Sequence, residues 1–211
     1  LADLAACRYC AGDDLPGLPA EYLRSRNSIN RLTGTTGEGF APYAQTETLY
    51  PAGSRLTVFV GIDEDVLSRE ALRSGLEKIG VTGFGRDAST GMGKFGIVSF
   101  QDVNLAEFGA KNPNAFYTLG PCVPEKKRYR DALFTPFTRF GKHGDRLAVS
   151  GKPFKNPVIM ADEGALLFPA DMAECRTRPY LGTAVTGLSK VLDTAVAQGY
   201  SLFIPVRLEV N

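Results

Sequence analysis

Two stretches of the 211-residue sequence carry residue types that do chemistry in combination. The first is Arg24-Ser-Arg-Asn-Ser-Ile-Asn-Arg-Leu-Thr-Gly-Thr-Thr-Gly37, which alternates cations, amides and hydroxyls. Arg24, Arg26, Asn27, Ser28, Asn30, Arg31 and Thr33 are the groups proteins use to touch phosphates, sugars and base edges. The string has no apolar face, so it also suits a solvated loop. The second stretch runs from Gly80 to Gly96 and is rich in glycine. Gly83, Gly85, Gly91 and Gly93 permit positive φ and close backbone approach. Exposed amides of such a loop can hold phosphate oxygens, with Arg86 and Lys94 adding charge, Ser89 a hydroxyl and Phe84 a ring to stack on a base.

Two familiar nucleotide motifs do not fit the glycine stretch. Lys94 is followed by Phe95, so there is no Walker A sequence. A dinucleotide fingerprint needs strand, glycines, helix, and here the order reads helix, glycines, strand. A plain helix–strand connection is the bland alternative.

Other reactive residues are few. His143 is the sole histidine, which excludes any site built from two histidines of this chain. It lies in Gly141-Lys-His-Gly144, where an exposed loop histidine is the ordinary expectation. In an enzyme it would serve as general acid or base, helped by Tyr129 or Lys142. Asp63, Glu64 and Asp65 precede a helix, and there acidic residues more often complement its dipole than bind a metal. Cys7 and Cys10 form a lone C-x-x-C, and Cys122 and Cys175 could complete a zinc site only by long-range folding. Reduced bystander thiols in a reducing cytoplasm are expected, with no cofactor and no metal.

These groups need a frame. A chain of 22.7 kDa buries about 70% of its unfolded surface, enough for one large domain or two small ones. Its composition, 44% hydrophobic and 22% charged, argues against dominant disorder. No apolar run approaches the roughly 20 residues that span a bilayer, which excludes an integral helical membrane protein. Net charge is +1, yet residues 111–155 hold ten Lys/Arg against three Asp/Glu. That basic middle, with Lys126, Lys127, Arg128 and Arg130, suits either a polyanion surface or a solvated loop.

The expected elements run as follows. Residues 11–20 are turn-rich linker. Gln45–Leu49 and Arg55–Ile62 form a hairpin around Pro51–Ser54. Leu67, Leu72, Leu76 and Ile79 mark one face of a helix over Ser68–Ile79, capped by Ser68 and stopped by Gly80. Phe95–Phe100 is a strand. Strand, strand, helix, glycine loop, strand is the last two-thirds of a βαββαβ ferredoxin-like unit. In the second half, Phe116–Leu119, Leu133–Phe140, Val158–Met160 and Ala165–Phe168 read as strands. Gly182–Ala197 has helical spacing weakened by two glycines. The terminal strand from Tyr200 contains Pro205, which argues for an edge or a bulge. The fold class is therefore α+β with two ferredoxin-like (RRM-like) domains. Residues 1–21 are a linker or partial N-terminal segment, 22–103 the first domain and 104–211 the second.

Taken together, Arg26-Asn-Ser-Ile-Asn-Arg31 with Thr33-Gly34, then Phe40-Ala-Pro-Tyr43, then Gly83, Gly85, Ala88, Ser89, Gly91, Gly93 and Phe95, closely resemble one family. It is the RAMP-superfamily subunit that caps the crRNA 5′ end in type III-A CRISPR (Csm) effector complexes, the fourth Csm subunit. Lys155–Met160, Gly164–Phe168 and Gln198–Tyr200 are similar to its second-domain segments. The glycine loop is shared across RAMP proteins, and the polar string points to this subunit. The resemblance implies two RAMP domains, no nuclease chemistry and binding of the repeat-derived 5′ tag of crRNA. It also implies contacts with the large polymerase-like subunit and the backbone RAMP subunit. The first domain then lacks its first strand and helix in this chain. Either residues precede Leu1 or a partner supplies the strand. The rival expectation is a crRNA-processing endoribonuclease of the same superfamily using His143, and a third is a small-nucleotide-binding regulator.

Overall fold

A computed structural model of the chain describes residues 20–36, 41–85, 87–175 and 177–208. Cys7, Cys10, Phe40, Arg86 and the linker before Ala20 lie outside the described residues. The protein is α+β, and all strand pairs among the described residues are antiparallel. Contacts along the chain divide it into two compact units, meeting in sequence between Val58 and Phe59.

Among the described residues, the smaller unit holds one strand pair, β1 (Ala20–Arg26) and β2 (Tyr43–Leu49). They pair from Ala20↔Leu49 to Arg26↔Tyr43. The strand β1 was not expected, because its sequence Ala-Glu-Tyr-Leu-Arg-Ser-Arg has no apolar alternation. Its alternation is polar instead. Tyr22, Arg24 and Arg26 share a face with Gln45 and Glu47, and both of the latter are buried. Leu23 on the other face is exposed.

This pairing corrects the expected hairpin of Gln45–Leu49 with Arg55–Ile62. The turn exists: Ser54 N donates to Pro51 O at 3.1 Å and Gly53 takes φ +81°. Arg55–Ile62, however, joins no ladder among the described residues, and neither does Phe95–Phe100. Both have β-forming composition, but composition supplies no partner strand.

In the larger unit, helix α1 (Arg69–Thr82) forms where the apolar spacing predicts. Ser68 Oγ accepts from Ala71 N at 3.2 Å, and Gly83 N closes the far end on Ile79 O at 2.7 Å. The expectation that Gly80 stops the helix is wrong. The helix passes through Gly80, whose missing side chain admits Phe95 O; a Cβ there would stand 2.4 Å from that oxygen. Phe95 N donates to Gly80 O at 3.2 Å, and the guanidiniums of Arg69 and Arg73 lie over the Phe100 ring.

The core of this unit is a five-stranded sheet. Its strands are β3 (Ala115–Thr118), β4 (Tyr129–Leu133), β7 (Leu166–Pro169), β8 (Tyr180–Gly182) and β9 (Tyr200–Val206), in the order β4-β7-β3-β9-β8. Phe116, Leu167, Leu181 and Ile204 are fully buried on it, and the Phe116 and Phe203 rings meet edge-on at 4.6 Å. A second antiparallel pair joins β5 (Pro136–Arg139) to β6 (Val158–Ala161). The only α-helix in this half among the described residues is the short α2 (Met172–Cys175).

Two expectations for this half are corrected. The terminal strand β9 is interior rather than at an edge. Pro205 is tolerated because β8 pairs only with Tyr200–Leu202, so the β8 side of β9 is open beyond Leu202. Pro205 turns to that open side, where its carbonyl accepts from Ala110 N at 2.8 Å and no ladder amide is missed. Residues 182–197 form no helix. Val185 and Ala197 exchange backbone hydrogen bonds at 3.0 and 2.9 Å, closing a loop that sends Leu188 into the core while Val191, Leu192 and Val196 stay exposed. No helix of the described residues is long and apolar enough to cross a membrane.

Candidate nucleic-acid interface

The polar string folds into two parts with different chemistry. Along β1, Arg24 and Arg26 converge on Glu47. Arg26 Nη2 donates to Glu47 Oε1 at 2.6 Å, and Arg24 Nη1 to Oε2 at 3.4 Å. Tyr22, directly opposite, donates its hydroxyl to Oε2 at 2.6 Å. The Tyr22 hydroxyl and the Arg26 guanidinium, aided by the Arg24 charge, outweigh burial and hold the Glu47 carboxyl down to about 2. The same bond raises the Tyr22 phenol. Glu47 was not a sequence candidate. Only the register reveals that a carboxylate stands among these arginines.

Arg26 is therefore largely enclosed and structural. Arg24 keeps more than half of its side chain exposed, and its longer bond leaves it able to turn to an outside anion.

Beyond β1, Asn27 and Ser28 are exposed, and the chain then makes a tight turn. Asn30 N donates to Thr35 O at 3.0 Å, Gly34 N to Asn30 O at 2.8 Å, and Leu32 N to Asn30 Oδ1 at 2.9 Å. Asn30 thus builds the turn rather than reading a base with its Oδ1. Gly34 takes φ +66°, and the Thr33 and Thr35 hydroxyls bond to each other at 2.9 Å. The turn lifts Arg31 into solvent beside Leu32, which is 96% exposed.

The glycine loop belongs to the larger unit. Gly83, Gly85, Gly91 and Gly93 all have positive φ, from +71° to +104°, as their selection implied. Two of them also admit backbone. A Cβ on Gly83 would lie 2.2 Å from Met92 O, and one on Gly93 would lie 1.9 Å from Phe84 O. The loop closes on itself: Phe84 N bonds to Gly93 O at 2.9 Å, and Ala88–Thr90 form a short 3-10 turn. The amides of Phe84, Ala88, Thr90, Gly91 and Met92 are spent internally. What remains outward is side chain: Phe84, 74% exposed, with Ser89 and Lys94. The loop thus presents a ring, a hydroxyl and a cation rather than a row of amides.

His143 differs from the expected exposed loop residue. It is buried, and its Nε2 lies 2.8 Å from Ser189 Oγ. Ser189 Oγ also accepts from Val191 N at 3.1 Å and Leu192 N at 2.9 Å. His143 Nε2 and Ser189 Oγ thus share one contact whose donor depends on the ring's tautomer. This geometry holds the 187–192 loop. The expected helpers are elsewhere. Tyr129 donates to Glu125 Oε2 at 2.8 Å, and Lys142 sits by the Phe154 ring.

The basic middle is partly neutralised. Arg128 and Arg178 pair with Glu125, which also accepts from Gly182 N at 3.0 Å. Burial would raise the Glu125 carboxyl, but the bonds from Tyr129, Gly182 and Arg178 prevail and hold it below its ordinary value. Lys126, Lys127 and Arg130 stay exposed. Cys122 is buried, and its surroundings, then the Glu125 charge, push its thiol up to about 11. No cluster of three metal-ligating side chains occurs among the described residues.

No protein-family model matches the chain, and no curated protein matches it.

Proposed function

We propose that the chain is a non-catalytic RNA-binding scaffold subunit of a type III-A CRISPR interference complex. In this reading it holds the repeat-derived 5′ tag of crRNA and docks the large polymerase-like subunit and the backbone RAMP subunit. In this reading residues 22–103 and 104–211 are RRM-like RAMP domains, and the chain acts in the cytoplasm. The observation that carries the reading is the glycine loop. Four positive-φ glycines, two of them in backbone contact, keep Phe84, Ser89 and Lys94 outward after α1. A stacking ring beside a cation and a hydroxyl suits unpaired RNA, whose bases splay out and whose backbone offers phosphates and 2′-hydroxyls. Arg31, and Arg24 once turned, supply phosphate contacts from the hairpin.

The geometry favours this reading over the endoribonuclease. His143 is enclosed and commits Nε2 to Ser189, whereas a general base must reach the proton it abstracts.

Fluorescence anisotropy of labelled repeat-derived RNA tests the proposal, with partner subunits present if solubility needs them. Wild type and an Arg31→Ala/Lys94→Ala variant are compared across a salt series. A steep salt slope that becomes shallower by about one unit per lost phosphate contact supports the reading. Equal slopes remove these cations from the site. RNA cleavage that disappears in His143→Ala would establish the enzyme instead.

A further inference from the structure

Residues 136–143 and 153–161 form one long antiparallel hairpin. The β5–β6 ladder runs from Pro136↔Ala161 to Arg139↔Val158 and resumes at Lys142↔Phe154. His143 N donates to Pro153 O and Lys155 N to Gly141 O, each at 2.8 Å. Lys142 and Phe154 thus face each other between two hydrogen bonds, the type of pair whose side chains lie closest.

Alternation, with a one-residue shift of register between Arg139↔Val158 and Lys142↔Phe154, gives the hairpin two unlike faces. The inner face carries Phe137, packed with Val158, Met160 and Leu188, and then the buried His143. The outer face carries Phe140 and Lys142 on one strand and Phe154 and Ile159 on the other. This outer face is bare. Phe140 is 77% exposed, Phe154 67% and Ile159 70%. Lys142 Nζ stands 5.8 Å from the centre of the Phe154 ring.

The charge along the hairpin has one sign. Between Pro136 and Lys155 the sequence has Arg139, Lys142, Arg146, Lys152 and Lys155 against Asp145 alone. No ion pair among the described residues engages those cations. A purely apolar partner would have to desolvate Lys142 at the centre of the patch, which is costly. A polyanion with flat apolar groups faces no such penalty.

We propose that this face is a stacking platform for a single-stranded polynucleotide. Phe140 and Phe154 each take a base, and Lys142 on the same face pairs a phosphate. The proposal deepens the RNA reading above and rests on it for the class of polymer, not for the residues. RNA and DNA share the chemistry invoked, and the test separates them.

The test uses the full chain and labelled oligouridine and oligothymidine of equal length, read by anisotropy across a salt series. Four variants are compared with wild type: Phe140→Ala/Phe154→Ala, Phe140→Leu/Phe154→Leu, Lys142→Ala and Arg31→Ala/Lys94→Ala. Phe140 and Phe154 are exposed, and circular dichroism checks that the variants stay folded. The alanine pair is expected to weaken binding about tenfold or more, since two stacked bases together contribute at least that order. The leucine pair is expected to recover little, because stacking needs the ring face. Lys142→Ala is expected to lower the salt slope by about one. Tighter oligouridine binding would assign the platform to RNA, and equal binding to either strand. Unchanged binding in the alanine pair, with loss in Arg31→Ala/Lys94→Ala, overturns the platform and leaves the RNA reading standing. The reverse pattern supports the platform and removes the hairpin turn and glycine loop from the site. Full recovery by leucine, or self-association abolished by the alanine pair without strand binding, would mark an apolar protein contact and overturn the platform.

Discussion

Arg26 Nη2 donates to Glu47 Oε1 at 2.6 Å across the β1–β2 pair. That bond separates two arginines the sequence presents alike. Arg26 is committed to the strand pair, while Arg31 stands exposed at its turn. Arg26→Ala is expected to lower the thermal midpoint, because Glu47 stays buried with a partner gone. Arg31→Ala is expected to leave the midpoint unchanged and to weaken RNA binding. Calorimetry and anisotropy on the same two proteins check this, and equal midpoints would contradict it.

The Glu47 carboxyl gives this region an acid response. Its folded value of about 2 lies below its ordinary 4.5. A depressed carboxylate contributes stability that is present above its unfolded value and lost as pH falls through its folded value. The loss should therefore fall between about pH 4.5 and about pH 2. Glu47→Gln should flatten it, since the amide does not titrate. Acid titrations of both proteins by circular dichroism, compared as a difference, measure the effect.

In the glycine loop, Gly85 and Gly93 separate strain from space. Gly85→Ala meets open space and only the positive φ, a cost of about 1–2 kcal/mol. Gly93→Ala adds a Cβ 1.9 Å from Phe84 O, backbone that cannot turn aside. It should cost more than Gly85→Ala and should shift Phe84. Urea denaturation of the two variants ranks them, and equal midpoints would show that the loop yields freely.

His143→Ala should destabilise the protein by about 1–3 kcal/mol, because the Ser189 hydroxyl loses its side-chain partner in a part-buried place. Adding Ser189→Ala should cost much less than the sum of the two single changes, since they share one contact. Additive losses would mean that the two side chains act independently.

Cys122 should resist alkylation in the native protein. The thiol is fully buried and shifted to about 11, so both access and thiolate fraction are low. Mass mapping of iodoacetamide adducts before and after unfolding in urea tests this at the residue. Rapid native labelling of Cys122 would contradict the burial.

Local rules wrote some of this protein into its sequence. Helix α1 followed from the spacing of Leu72, Leu76 and Ile79 and from the Ser68 cap. The positive φ of Gly83, Gly85, Gly91 and Gly93 followed from the density of glycine. Strands β3, β6 and β7 followed from short apolar runs. Each depends on a residue and its near neighbours along the chain. The tertiary structure decided what depends on a partner distant in sequence. It paired Tyr43–Leu49 with Ala20–Arg26, because Glu47 meets Tyr22, Arg24 and Arg26 in that register. It placed Pro205 where β8 has already ended, and it turned His143 inward while Lys142 and Phe140 turned outward. A sequence states which groups can donate, accept, stack or bury. Which of them are already used is settled only when strands meet, because a hydrogen bond or a buried contact needs both of its members.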